Sequence, residues 1–352
     1  MECRIVRYRE RHDVARLHAE LVGARPEYSQ VPFDTNPVPF DDDFPYLFYF
    51  IDGDDILGVR RAIPDVCYRE GEEIAFAWCY DTVVNPDHHG KGIGTKLVAV
   101  QVEEFARRGQ VSGAAFSAPA MMRIYDKLGY SVLGFAPKYA KVRNVAPFLH
   151  RKVRSGVIAS LMAVPLNLAQ KALELGRARS GFSIEQLNTG EFERFWNDIS
   201  TKGARYHWDA DARWVASRLG PNDETWAVRT APNGKPSAVL VVRDRKRVEN
   251  DADKVAVHRL TLMHYGLATE PDSMDALAAG LSKLLRTKNA DVADIITTEP
   301  DANSALARQG FKRRGDGMTF VFKEPGATRL PQSGKLSDWK LTHFCSDGFL
   351  FP

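Results

Sequence analysis

The chain has 352 residues and a formal net charge of +3, with 44% hydrophobic and 26% charged residues, the balance of a soluble globular protein long enough for two domains. Four scattered cysteines (Cys3, Cys67, Cys79, Cys345) with no Cys-x-x-Cys argue against a metal knuckle and a disulfide framework, and read as free thiols of a reducing cytoplasm. The N-terminal segment has no apolar h-region, and no uncharged run approaches the roughly 20 residues of a bilayer span, so neither a signal peptide nor a spanning helix is expected.

In chain order, residues 3–8 read as a short strand. Asp13 then opens an amphipathic helix with Val14, Leu17, Leu21 and Val22 on one face. Residues 25–43 hold four prolines and the run Asp41-Asp42-Asp43, which predicts a long irregular loop. Residues 46–51 and 55–68 form a hairpin around Asp52-Gly53-Asp54. Residues 74–84 are a strand, with Phe76, Trp78 and Tyr80 on one face and Cys79, Asp81 and Val83 on the other. A helix follows over 95–108.

The turn between that strand and helix is the most informative stretch. It reads His88-His89-Gly90-Lys91-Gly92-Ile93-Gly94-Thr95, three glycines in five residues. Glycine lets backbone N–H groups approach a ligand without Cβ interference. A helix starting there adds unpaired amides and the positive end of its dipole, so the turn is suited to a pyrophosphate. The pattern fits neither Gly-x4-Gly-Lys-Ser/Thr nor Gly-x-Gly-x-x-Gly.

The stretch resembles motif A of the GNAT superfamily of acyl-CoA N-acyltransferases, whose loop reads Arg/Gln-x-x-Gly-x-Gly/Ala. Here His89 stands in place of the Arg or Gln. The resemblance implies an α/β (α+β) fold with a mixed, mostly antiparallel sheet flanked by helices. It implies acetyl-CoA or another acyl-CoA as cosubstrate, with no metal. The cosubstrate would be held by Val83 and Val84 on the strand and by His89, Gly90, Lys91, Gly92, Ile93, Gly94 and Thr95 in the turn. Downstream, Pro119-Ala120-Met121-Met122-Arg123-Ile124-Tyr125-Asp126-Lys127-Leu128-Gly129-Tyr130 resembles GNAT motif B, a short helix closing at Gly129. In the family the matching tyrosine reprotonates the departing thiolate, which makes Tyr125 the candidate general acid; a packing role is the alternative. The Asn often found seven residues earlier is Ala118 here, beside Ser117.

Acyl transfer to an amine needs a neutral amine, and an alkylammonium has a pKa of about 10.4, so a base or water chain must take its proton. Asp81, three residues before Val84, is the first candidate, and Glu73 and Asp41–Asp43 are rivals. A carboxylate that merely orients the loop is the other reading of Asp81, and His88 and His89 are either relays or solvent-facing. Phe33, Phe40, Phe44 and Tyr46 either pack the irregular loop or stack on a sugar or nucleotide acceptor. Cys67 and Cys79 are poor candidates for a covalent intermediate.

Nine of the basic residues fall between 138 and 179, opposed only by Glu174. Within this segment the apolar run 156–169 is flanked by Arg151, Lys152, Arg154 and Lys171. Two readings stay open for 151–175: helices clasped between two domains with a break at Pro165, or an amphipathic helix lying on anionic lipid. No nucleic-acid-binding motif accompanies the charge.

From 182 the order of elements repeats. Strands are expected at 182–187, 225–230, 237–244, 255–265 and 291–297, with helices at 191–201 and 274–285. Ser304-Ala305-Leu306-Ala307-Arg308-Gln309-Gly310-Phe311 echoes the motif B helix. The cradle does not repeat, because Thr269-Glu270-Pro271-Asp272 stands where the glycines would be and would repel a pyrophosphate. The division expected is a catalytic GNAT domain over 1–137, a basic and apolar helical linker over 138–181, a degenerate GNAT-like domain over 182–326 and a tail over 327–352. The tail's Trp339-Lys340-Leu341-Thr342 is similar to the end of tandem GNAT-like proteins found with polysaccharide biosynthesis genes, with Cys345 in place of an acid.

The expectation is a cytoplasmic N-acyltransferase moving an acyl group directly from coenzyme A to a primary amine on a small molecule, amino sugars first. A homodimer is compatible with it. The alternative from another class is a non-catalytic acyl-CoA sensor or scaffold.

Overall fold

The computed structural model describes residues 2–10, 41–53, 55–116, 119–153, 156–177, 181–199, 206–208, 211–230, 234–248, 256–326 and 335–345. The expected helix at Asp13, most of the irregular loop with Phe33 and Phe40, and Ser117 and Ala118 lie outside these residues.

Regular alternation of apolar residues builds the first half. It contributes β1 (Glu2–Arg7), β2 (Pro45–Asp52), β3 (Asp55–Arg69), β4 (Glu72–Val84), α1 (Ile93–Arg107), β5 (Val111–Phe116), α2 (Pro119–Lys127) and β6 (Ser131–Val142). Two consecutive helices follow, α3 (Ala146–Val153) and α4 (Gly156–Arg177). The second half comprises β7 (Ser183–Gln186), α5 (Thr189–Ile199), β8 (Tyr206–His207), α6 (Ala212–Ala216), β9 (Asp223–Arg229) and β10 (Ala238–Val248). It continues with β11 (Ala256–Leu267), α7 (Ser273–Thr287), β12 (Val292–Ile296), α8 (Ala302–Arg308) and β13 (Lys312–Lys323).

The strands join into one sheet in the order β1-β2-β3-β4-β5-β13-β6-β12-β11-β10-β9-β7, with β8 attached to β3. Among the described strands, β4 with β5 and β11 with β12 pair in parallel and the other ladders are antiparallel; Tyr206 of β8 also makes an isolated parallel bridge to Trp339. The centre of this order is an exchange. The last strand of the chain, β13, lies between β5 and β6, where Phe320 faces Ala115 on one side and Gly134 on the other. In return β6 pairs with β12 of the second half, Val292 opposite Val142. Residues 1–137 therefore do not close their own sheet, and the two halves share the β6–β13 pair.

Side-chain alternation divides the core. On β4, Ala77 and Cys79 face α1, together with Leu97, Val98 and Phe105. Phe76, Trp78 and Tyr80 face the opposite side, as expected from the sequence, and join Trp196, Trp208, Trp214 and Trp339 in the largest cluster. The second half packs α7 on its sheet through Leu277, Leu281, Leu284 and Leu285. On β5, Gly113 is required by a close approach: a Cβ there would stand 2.1 Å from the Phe76 ring.

The halves are also joined at the end of β3. Asp65 is buried and accepts from Trp78 Nε1 (2.9 Å), Trp214 Nε1 (3.0 Å), Arg218 Nη2 (2.8 Å) and the Val66 amide (2.9 Å). Two of these donors come from the second half. Beside them β8 adds Tyr206 and His207 to β3 opposite Arg69 and Tyr68.

The helices after β6 correct the clasp reading of 151–175. Pro165 does not break the segment, because it is carried inside α4. The helix tolerates it because Pro165 and Leu161, whose carbonyl the ring leaves without its amide partner, are both exposed. Val157, Ile158, Leu161, Met162, Val164, Leu166 and Leu168 of α4 are exposed as well and do not pack between the two halves.

Candidate active site

The turn after β4 forms an open cradle. Gly90 and Gly92 have φ of +79° and +76°, a region that L side chains rarely adopt, and a Cβ at either would meet nothing within 4 Å. Gly92 is the N-cap of α1 and no side chain caps the helix, so its first-turn amides are presented to the outside. Gly94 has an ordinary backbone, and a Cβ there would touch Ile124 Cδ1 at 3.5 Å. The turn is braced from behind by Asn85, whose side chain accepts from the Asp87 amide (3.1 Å) and whose own amide donates to the Leu57 carbonyl (2.9 Å). His89, expected in the cradle, turns its Nε2 to the Val84 carbonyl at 2.9 Å and ties the turn to the strand. His88 Nδ1 lies 3.3 Å from Lys91 Nζ.

The cradle stands at the mouth of a wedge. β4 and β5 pair only from Phe76 opposite Val111 to Trp78 opposite Gly113. Among the described residues no further ladder pairs with β5 follow as β4 runs on to Val84, so the two strands part beyond residue 78. The register with β3 shifts between Val59 and Arg61, which places a bulge at residues 81–82. Asp81 thus sits at a kink in the strand beside the wedge, and the regular alternation with Cys79 and Val83 is broken there. Of its rivals, Glu73 is at the far end of β4, roughly 26 Å from Asp81 along the strand. Asp41 is held below the usual carboxylate range by the Asp43 amide and by Arg108, whose Nη2 donates at 2.7 Å. Asp43 pairs with Arg9 at 2.8 Å. Asp41 and Asp43 are thus paired, and Glu73 is remote from the cradle.

Tyr125 projects from α2, which ends as expected at Gly129 with φ +68°. The residue is only 1% exposed, and its hydroxyl accepts a hydrogen bond from Arg60 Nη2 at 2.9 Å. Arg60 is fully buried. Its Nε donates to Gln101 Oε1 on α1 and its Nη1 to Thr82 Oγ1 at the bulge. Burial works against its charge, while Tyr125, Cys79 and Tyr130 around it favour it, and the guanidinium stays protonated. A second polar chain lies alongside, from Cys79 Sγ to Ser112 Oγ (3.4 Å) to Tyr130 OH (2.7 Å), with the Tyr130 ring edge-on to Tyr125 at 4.6 Å. Burial pushes the Cys79 thiol up, which keeps it neutral and a weak nucleophile. A guanidinium aimed at a phenol oxygen stabilises negative charge developing there, as a proton-donating tyrosine requires.

Sequence reading missed Arg60, Thr82 and Gln101. A signal existed: Arg60 and Arg61 interrupt an apolar strand, and Gln101 sits in the apolar stripe Leu97, Val98 and Phe105 of α1. A charge and an amide placed among core residues need partners.

The second half has the same wedge without the cradle. β11 and β12 pair over Arg259 to Leu262 and then part. The turn before α7 carries Glu270 and Asp272. The opening is crossed by the tail. Thr342 Oγ1 lies 2.7 Å from His264 Nδ1 on β11, and the Leu341 amide donates to Thr298 Oγ1 just past β12 at 3.1 Å. Trp339 stacks on Tyr206 (4.2 Å between centroids), and Lys340 Nζ lies over Trp196 and Tyr265. Among the described residues no cluster of three or more His, Cys, Asp or Glu could hold a metal.

Residues 4–133 match the family described as an acetyltransferase (GNAT) domain. Solved structures of similar fold include a GCN5-related N-acetyltransferase from Anabaena variabilis, with TM-score 0.56 and 10% identity over 92% of this chain and 73% of that one. A conserved protein from Enterococcus faecalis, described as a probable N-acyltransferase, aligns with TM-score 0.58 and 11% identity over 92% and 72% of the two chains. Saccharomyces cerevisiae N-myristoyltransferase with bound myristoyl-CoA aligns with TM-score 0.57 and 12% identity over 96% and 83%. At these identities the likeness is one of fold.

Proposed function

We propose that this chain, a member of the GNAT superfamily through its residues 4–133, moves an acyl group directly from coenzyme A to the primary amine of a small molecule in the cytoplasm. The observation that carries the proposal is the placement of the glycine cradle at the mouth of the β4–β5 wedge, with the Arg60–Tyr125 pair alongside. The open space at Gly90 and Gly92 fits a pyrophosphate on the amides of 90–95, and the stretch of β4 beyond its ladder with β5, at Val83 and Val84, fits the pantetheine arm. An acyl-CoA supplies an activated thioester. Asp81 takes up the amine proton, directly or through water, and a backbone N–H of β4 polarises the carbonyl. Tyr125 gives its proton to the leaving thiolate, and Arg60 stabilises the phenolate that remains. Amino sugars are the first acceptors to test, then amino acids, small amines and protein lysines.

Labour divides between the halves on this reading. Residues 1–137 carry the chemistry. Residues 182–326 bind no coenzyme A, since the acids Glu270 and Asp272 stand in the turn before α7 where the cradle glycines would be and the tail crosses the wedge; they shape the acceptor side. Thiol release from acetyl-CoA over an amine panel tests the proposal. Turnover with at least one amine is expected, and binding of acetyl-CoA without turnover on any amine would favour the sensor reading. That second reading draws on the burial of Tyr125.

A further inference from the structure

We propose that α4 is a docking surface for an anionic lipid bilayer, lying in the plane of the headgroups. α4 is turned inside out relative to an ordinary surface helix. Val157, Leu161, Val164 and Leu168 recur at helical spacing on one side and are 73%, 68%, 54% and 60% exposed. Ile158, Met162 and Leu166 widen this face to an apolar arc of roughly 200°, twice the stripe a core-facing helix needs. The side turned to the protein carries the small residues instead: Ala159 and Ala163 are buried.

This orientation is fixed by hydrogen bonds. Asn167 Oδ1 accepts from the Val145 amide at 3.0 Å, and Asn167 Nδ2 donates to Asn144 Oδ1 at 3.0 Å. Asn144 Nδ2 in turn donates to Asp291 Oδ1 at 2.7 Å. The polar edge of α4 is thus anchored to the chain before α3 and, through it, to the second half, which points the aliphatic arc away from the body.

The occupant follows from charge. The sequence from 156 to 170 holds no ionisable residue, while Arg151, Lys152 and Arg154 precede it and Lys171, Arg177 and Arg179 follow, against the single acid Glu174. Two copies packed on this face would bring basic flanks together and repel. Anionic headgroups would neutralise them while the acyl region takes up the aliphatic side chains. Among the described residues no helix is long and apolar enough to cross a membrane, so the contact is in-plane.

The test is flotation of the full chain with phosphatidylcholine vesicles, with and without phosphatidylglycerol. The wild type should float with the anionic vesicles, at least about tenfold less with phosphatidylcholine alone, and less as salt rises. The variant Leu161→Glu/Leu168→Glu should lose flotation yet keep the wild-type circular dichroism and thiol-release rate on a soluble amine, because both positions are exposed. Failure of the wild type to float with anionic vesicles at low salt overturns the proposal. So does equal flotation of the double variant. Light scattering that shows a wild-type dimer dissociated by the same substitutions, with no lipid binding, assigns the face to a second copy instead.

Discussion

Arg60 and Tyr125 set the first expectation at the level of single residues. Tyr125→Phe keeps the ring against Tyr130 and deletes the proton; it should lower turnover roughly 10- to 1000-fold and leave acyl-CoA affinity within a few-fold. Arg60→Gln removes the donor to the phenol oxygen and should lower turnover about tenfold or more, and the double variant should lose little beyond Tyr125→Phe alone, since the two act as a unit. Independent, multiplying losses would separate Arg60 from the chemistry, and unchanged turnover of Tyr125→Phe on the true acceptor would leave that residue a packing role. His343 gives a pH expectation. Burial first, then Lys138, Arg243 and Arg245, push its imidazole down to about 4 from an ordinary 6.5, against the opposing pull of Asp294. The unfolded chain therefore binds a proton that the folded chain refuses. Stability from this group is intact above pH 6.5 and drains away between 6.5 and 4. His343→Gln should flatten the urea midpoint over that window; an unaltered slope would mean that other groups govern acid unfolding. The helix of Tyr125 and its glycine stop were legible from the sequence because they are local patterns. Arg60 was not, because its partners stand 22, 41 and 65 residues away and meet only in the folded sheet.

The cradle and helix α1 behave as one element, and the glycines in it are not equivalent. Gly92→Asp combines a negative charge with a strained backbone at φ +76°, so loss of binding there has two causes. Gly94→Asp introduces the charge at a position with an ordinary φ and only van der Waals contact to Ile124 and Val84. It should abolish acyl-CoA binding while leaving the unfolding midpoint within a few degrees. Retained affinity would move the pyrophosphate site elsewhere. Element boundaries in the sequence reading fall within a few residues of those found for β2, β3, β4, α1 and α7, because period-2 and period-3.6 patterns there are unmixed. The reading of Pro165 as a break failed for a physical reason. Proline disrupts a helix through the carbonyl it strands, and on the exposed side of α4 solvent can satisfy that carbonyl.

At the scale of the whole molecule, most strands and helices of both halves were expected from the sequence in the order found, but the exchange of β13 and β6 was not. Nothing local in residues 312–323 says that they pair with 112–116 across the chain, since strand patterns encode a face and not a partner. Two expectations follow. Residues 1–181 expressed alone should not reach a native state, because β5 and β6 lose the strand between them; a cooperative, soluble fragment would contradict the shared sheet. Asp65→Asn leaves Arg218 buried beside a neutral amide and should cost about 3–5 kcal/mol, read as a lowered urea midpoint for tryptophan fluorescence and circular dichroism alike. A midpoint that moves for one probe only would mean that the halves unfold separately. The central claim is narrower than the fold: one acyl-CoA site per chain, at the glycine cradle of the first half. Isothermal titration with acetyl-CoA tests it most directly. The account predicts micromolar binding of one molecule per chain, lost in Gly94→Asp. No binding by the wild type, unchanged binding by Gly94→Asp, or two molecules per chain would contradict it.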